Sequence, residues 1–96
     1  MDANFETALQ TFFAGVEKIS NGRPAISRAA VFEMQILRKY ARIMRDDSAH
    51  CFVDLTNGDV LKPASWKTPA KHARGNIFDA ANGLGSMGVF GPAYLR

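Results

Sequence analysis

Trp66, Lys67, Lys71, His72, Arg74 and Asn76 fall within one short stretch, SWKTPAKHARGNIFD, in which no acid appears before Asp79. With Lys62 just upstream, this set has the chemistry of an anion site. Ammonium and guanidinium groups can contact phosphate, an amide can read a base or sugar edge, and an indole can stack on a base. The same residues also suit a purely structural role, in which Trp66 plugs the edge of a core and the lysines keep an irregular connection hydrated. The residues alone leave both roles open.

Catalytic chemistry is poorly supplied. The histidines are His50, in an apolar run, and His72, in the basic stretch, and neither has a local partner motif. His72 would form an acid/base pair with Asp79 or Asp59 only if the fold joined them. Asp46 and Asp47 are adjacent in a turn sequence, where carboxylates more often solvate a hairpin than hold a metal. The single cysteine, Cys51, excludes an intramolecular disulfide and a thiolate zinc cluster, and its flanks His50 and Phe52 suit a buried packing residue. NGLGSMGVFGPAYLR lacks the Gly-Lys-Ser/Thr of a phosphate loop and does not match the dinucleotide fingerprint. We expect no enzyme and no cofactor.

The charge distribution supports an anionic partner. Residues 1–59 carry seven basic and eight acidic side chains, whereas residues 60–96 carry five basic and one acidic, so the last third holds the whole excess of +3. The chain of 96 residues suits one domain with one modest core, and 47% hydrophobic with 22% charged residues sits near globular averages and does not indicate disorder. No stretch reaches the roughly 20 apolar residues of a membrane span, and the acidic start MDANFE lacks a signal peptide's basic region. A soluble, intracellular protein without a membrane partner is expected.

The elements that must position the basic stretch follow from periodicity. Asp2 or Asn4 can cap a helix whose apolar residues Phe5, Leu9, Phe12, Val16 and Ile19 recur at intervals of four and three, and SNGRP at 20–24 stops it. From Val31 the period becomes two, with Phe32, Met34 and Ile36 alternating with Glu33 and Gln35, which predicts a strand over 31–37. A helix over 24–38 competes, because PAISRAA favours it locally. YARIMR at 40–45 and AHCFVDL at 49–55 read as the next two strands. TNGD then predicts a type I′ turn at Asn57 and Gly58, with DVLK as the fourth strand.

Pro63 should end or edge that strand. Beyond it the glycines and prolines predict an irregular wrap over the sheet, anchored by Phe78, Leu84, Phe90, Tyr94 and Leu95. The expected fold is α+β: an N-terminal amphipathic helix packed on an antiparallel four-stranded meander, with an irregular Gly-rich C-terminal segment.

The pieces GDVLK, ASWK, PAK, RGNIF and GPAYLR, taken together over Tyr40 to Arg96, resemble small uncharacterised proteins of tailed bacteriophages. The resemblance implies a phage accessory product in the cytoplasm of a host bacterial cell, and it transfers no catalytic or binding residue. The leading expectation is a binding module whose segment 62–76 engages a nucleic acid or nucleotide through Lys62, Trp66, Lys67, Lys71, His72, Arg74 and Asn76. The alternative is a protein-interaction factor that binds and inhibits a host or phage protein through the open sheet face or an edge strand. A homodimer fits either, since one helix hardly covers a four-stranded sheet.

Overall fold

The computed structural model describes residues 2–21, 30–85, 87–88 and 91–92. Helix α1 spans Ala3–Asn21. It starts where the sequence predicts, because the Asp2 carboxylate accepts a 2.7 Å hydrogen bond from the Phe5 N–H and so satisfies one of the donors left open at a helix start. Asp2→Ala should therefore lower stability by about 1 kcal/mol in a urea titration. Phe5, Leu9, Phe12, Val16 and Ser20 form its buried stripe. At the other end the Asn21 side chain donates to the Ala30 carbonyl at 3.0 Å and accepts from the Ala30 N–H at 2.9 Å, clamping the helix end to the approach to the sheet.

Five strands follow: β1 Phe32–Ile36, β2 Tyr40–Arg45, β3 Ser48–Asp54, β4 Asp59–Pro63 and β5 Pro69–Asn76. They form one antiparallel sheet in the order β1-β2-β3-β4-β5. The α+β expectation holds, and the four-stranded count does not. The fifth strand comes from PAKHARGN, which the sequence presents as irregular. Every residue of this edge strand is exposed or only half-buried, so no buried face imprints an apolar period on it. Residues 32–36 are strand and not helix; the rest of the competing segment up to residue 29 lies outside the described residues.

Two turns differ in chemistry from expectation. Gly58 has φ of 82°, but Asn57 does not share the positive φ that a type I′ turn requires, so the β3–β4 connection is a four-residue loop over 55–58. It closes by a 2.8 Å bond from the Gly58 N–H to the Asp54 carbonyl. Between β2 and β3, Asp46 takes φ of 53°, a conformation that Asp tolerates better than most residues. Its carboxylate accepts from the Val31 N–H at 3.1 Å, a tie to the residue that precedes β1.

The helix lies on the face carrying Phe32, Ala41, Ile43, Cys51, Val53 and Val60, with Ile77 closing the far end. Leu84 and Met87 pack against the same core. Met87–Gly88 and Gly91–Pro92 pair as the short strands β6 and β7, so the described part of the Gly-rich segment is less irregular than expected. Phe78 is half exposed and meets Phe5 edge-on at 5.4 Å, and the other expected anchors Phe90, Tyr94 and Leu95 lie outside the described residues. Cys51 is fully buried, as its flanks predict, and burial pushes its thiol far above the ordinary range, which makes it a packing residue and a poor nucleophile. A bulge where Ile43 and Met44 pair with Cys51 and Ala49 leaves His50 unpaired in the register. Its ring instead stands edge-on to Phe32 at 5.2 Å.

Candidate anion-binding hairpin

The face away from the helix is built around a row of residues set opposite one another: Gln35, Arg42, Phe52, Leu61 and Ala73, one from each strand. Phe52 and Leu61 are buried although α1 packs on the opposite face. The β4–β5 hairpin folds back over this row. Its turn places Trp66 on Arg42, with the guanidinium carbon 4.0 Å from the ring centroid. Arg42 also donates to the Trp66 carbonyl at 3.1 Å and to the Gln35 side-chain oxygen. One guanidinium thus joins the first strands to the hairpin tip, through a cation–π contact and two charge-assisted hydrogen bonds.

The turn is rigid for local reasons. The Ser65 and Thr68 hydroxyls lie 2.9 Å apart, and the Ser65 oxygen accepts from the N–H groups of Lys67 and Thr68 at 3.3 and 3.2 Å. The N–H groups of Ala64 and Ser65 both donate to the Thr68 carbonyl at 3.0 Å. This lacing holds Trp66 with 42% of its surface exposed. Trp66 is not a plug in the helix-side core; it caps an arginine and keeps the rest of its indole open to solvent.

The basic residues share this hairpin. Lys67 sits beside Trp66 in the turn, and Lys71 and His72 are exposed on β5. Lys62 and Arg74 are half-buried on β4 and β5, and Arg74 donates to the carbonyl of His72 at 2.9 Å. No acid lies between Lys62 and Asp79. Arg42 was invisible as a member of this set, because in YARIMR it reads only as the polar position of a strand. An arginine between apolar residues on a central strand was the one available signal.

Asn76 stands apart. It closes the opposite end of β5, where its side-chain N–H donates to the Asn57 carbonyl at 2.8 Å and to Asp59 at 3.1 Å, while its oxygen accepts from the Phe78 N–H at 2.8 Å. The hairpin therefore carries all seven sequence-derived residues, with Asn76 at its far end, paired with Asp59 and tied to the β3–β4 loop. His72 has no hydrogen bond to Asp59 or Asp79. The Asp79 carboxylate accepts instead from the N–H groups of Gly83, Ala81 and Asn76 at 2.8, 3.0 and 3.2 Å. Those backbone donors, Gly83 first and then Asn76, hold its carboxyl below the usual carboxylate range.

Among the described residues, no group of three or more His, Cys, Asp or Glu side chains could hold a metal ion, and no helix is long and apolar enough to cross a membrane. A surface cavity of about 560 Å³ lies away from the hairpin, between the start of α1 and the β1–β2 turn, with Phe5, Ile36, Leu37 and Leu55 in its wall. Asp2, Arg38 and Thr56 supply its polar groups, and no histidine lines it.

The profile of a protein family described as a family of unknown function (DUF7717) matches residues 4–88, which takes in α1 as well as the sheet. No curated protein and no solved structure matches the chain.

Proposed function

The chain therefore belongs to DUF7717, and from its own side chains we propose that it is a small binding module that takes a single-stranded nucleic acid or nucleotide on the β4–β5 hairpin. The observation that carries this reading is the exposed indole of Trp66, backed by Arg42 and followed by a strand of basic residues without an acid. A base stacks on the indole face turned away from Arg42, while Lys67, Lys71 and His72 meet the phosphates and Lys62 and Arg74 add positive potential. The guanidinium beneath the ring holds the indole flat before ligand arrives, so little ordering is left for binding to oppose. No bond is made or broken in this role and no cofactor takes part. We take the setting to be the cytoplasm of an infected bacterial host, on the strength of the phage resemblance.

Fluorescence anisotropy with a labelled single-stranded oligonucleotide tests the proposal. Affinity should fall steeply as salt rises, with a log–log slope of about −0.7 for each phosphate engaged. The Lys67→Ala/Lys71→Ala pair should flatten that slope. Trp66→Ala should weaken binding by about 1–3 kcal/mol. Its stability cost should stay near 1 kcal/mol, the worth of an exposed cation–π contact, and not reach the roughly 3–5 kcal/mol of a core tryptophan. Affinity without a salt slope, or unchanged in both variants, would sink the reading. The alternative, a factor that binds and blocks a host or phage protein through the open sheet face or an edge strand, draws on a different surface, such as the outer edge of β1.

A further inference from the structure

The two edges of the sheet are not alike. β5 carries Lys71, Arg74 and Pro69, the residue types that discourage one edge from pairing with another. β1 reads FEMQI, with no Lys, Arg, Pro or Gly, and among the described residues nothing pairs with its outer side. Its end residue Ile36 and the preceding Val31 are more than half exposed. We propose that β1 is a homodimer interface, where a second copy of this chain adds its own β1 antiparallel across a two-fold axis at Met34.

Backbone direction selects that register. The Leu37 N–H donates to Tyr40, and Asp46 donates to the Val31 carbonyl, so residues 31 and 37 turn their hydrogen-bonding groups inward to β2. Alternation along an antiparallel strand then turns Glu33 and Gln35 inward too, and points the N–H and C=O of Phe32, Met34 and Ile36 outward. Pairing centred on Met34 sets Met34 against its own copy and Phe32 against the partner's Ile36. Each outward group then meets an outward group, and all three positions become hydrogen-bonded pairs.

The side chains agree with the backbone. On the helix side, Phe32, Met34 and Ile36 form a wholly apolar row that faces the same row reversed. Met34 and Ile36 also floor a groove bordered by Glu6 and Gln10 of α1, into which the second copy's Met34 and Ile36 extend. On the other side, Glu33 comes opposite the partner's Gln35, and Gln35 is the residue that holds the Arg42 guanidinium. The one charge on β1 thus meets the opposite charge of the second copy, twice by symmetry.

Sedimentation velocity of the full chain over a concentration series is the test. Monomer and dimer should exchange with concentration. Glu33→Lys, which sets like charge against the partner's Arg42, and Ile36→Lys should each raise the dimer dissociation constant by at least about tenfold. Both positions are exposed, so melting curves should show the monomers still folded. Register is tested by oxidation: Met34→Cys should form an intermolecular disulfide, because a hydrogen-bonded antiparallel pair sets its Cα atoms about 5.5 Å apart, inside the roughly 4.4–6.8 Å that a disulfide spans. Gln35→Cys, opposite Glu33 and not its own copy, should not. A monomer at every concentration, a dimer indifferent to both lysine variants, or equal cross-linking at 34 and 35 would each overturn the proposal. None of these outcomes depends on whether the hairpin binds an anion, since oligonucleotide affinity is read separately.

Discussion

Gly58→Val is expected to destabilise the domain by about 3 kcal/mol or more. Two independent costs combine. Gly58 has φ of 82°, a conformation that a β-branched residue adopts only under strain. In addition, an ideal Cβ there would stand 2.9 Å from Ile77 Cγ1 and 3.1 Å from the Phe78 ring. Ile77 is fully buried, and its N–H donates to the Gly58 carbonyl at 2.9 Å, so it cannot move aside without opening the end of the core. For a domain this small the loss should lower the thermal midpoint by more than about 12 °C. Asn57→Ala makes the control: without positive φ at 57, it should cost only the 2.9 Å bond from the Asp59 N–H to the Asn57 side chain, about 1 kcal/mol. A midpoint unchanged in Gly58→Val, or equal losses in the two variants, would contradict the loop geometry.

Acid should weaken the fold through His50. Its ring is 4% exposed, and its Nε2 has no hydrogen-bond partner among the described residues. Burial first, and the nearby Arg45 charge second, bring its pKa down from 6.5 to about 4. The folded chain therefore holds His50 neutral where the unfolded chain protonates it. Below pH 6.5 the unfolded state binds the extra proton, so stability is complete above that pH and declines as pH falls toward about 4. The decline should total about 3 kcal/mol, taking 1.36 kcal/mol for each pH unit of displacement. Urea titrations at pH 7, 6, 5 and 4.5 measure it. His50→Phe should flatten the dependence in that window, and a wild-type curve flat from 7 to 4.5 would contradict the prediction. The lowered Asp79 carboxyl acts further down, below its ordinary 3.8, so the two contributions separate on the pH axis.

Much of this architecture is legible in the sequence because its cause is local. The cap at Asp2 follows from a carboxylate placed beside open helix donors, and the stripe from Phe5 to Val16 and the alternation from Phe32 to Ile36 follow from elements that turn one face to the core. β5 was not legible, because an edge strand over a curled hairpin has no such face and its lysines match those of a solvated loop. The type I′ reading of Asn57-Gly58 failed for a related reason: a left-handed glycine serves several loop lengths, and strand register selects among them. The basic residues of the candidate site could be found from their types, whereas Arg42 could not, since its role arises only when the hairpin folds back across three strands. His50 was readable as a strand histidine. The bulge that turns its ring onto Phe32 was not.

Every strand in the sheet pairs with the next one along the chain, and that ordering has a consequence during synthesis. Each hairpin closes a short loop and can form as soon as its second strand is made, without waiting for distant sequence. The helix has the reverse problem. It is made first, yet its stripe of Phe5, Leu9, Phe12 and Val16 buries against Val53, Val60 and Ile77, which come more than thirty residues later. At roughly 5–20 residues per second, a nascent chain on the ribosome carries a bare apolar helix for seconds before its sheet exists. The window for capture by a chaperone, or by another nascent copy, is therefore set by the translation rate across β1 to β5 and not by the folding rate of the finished domain.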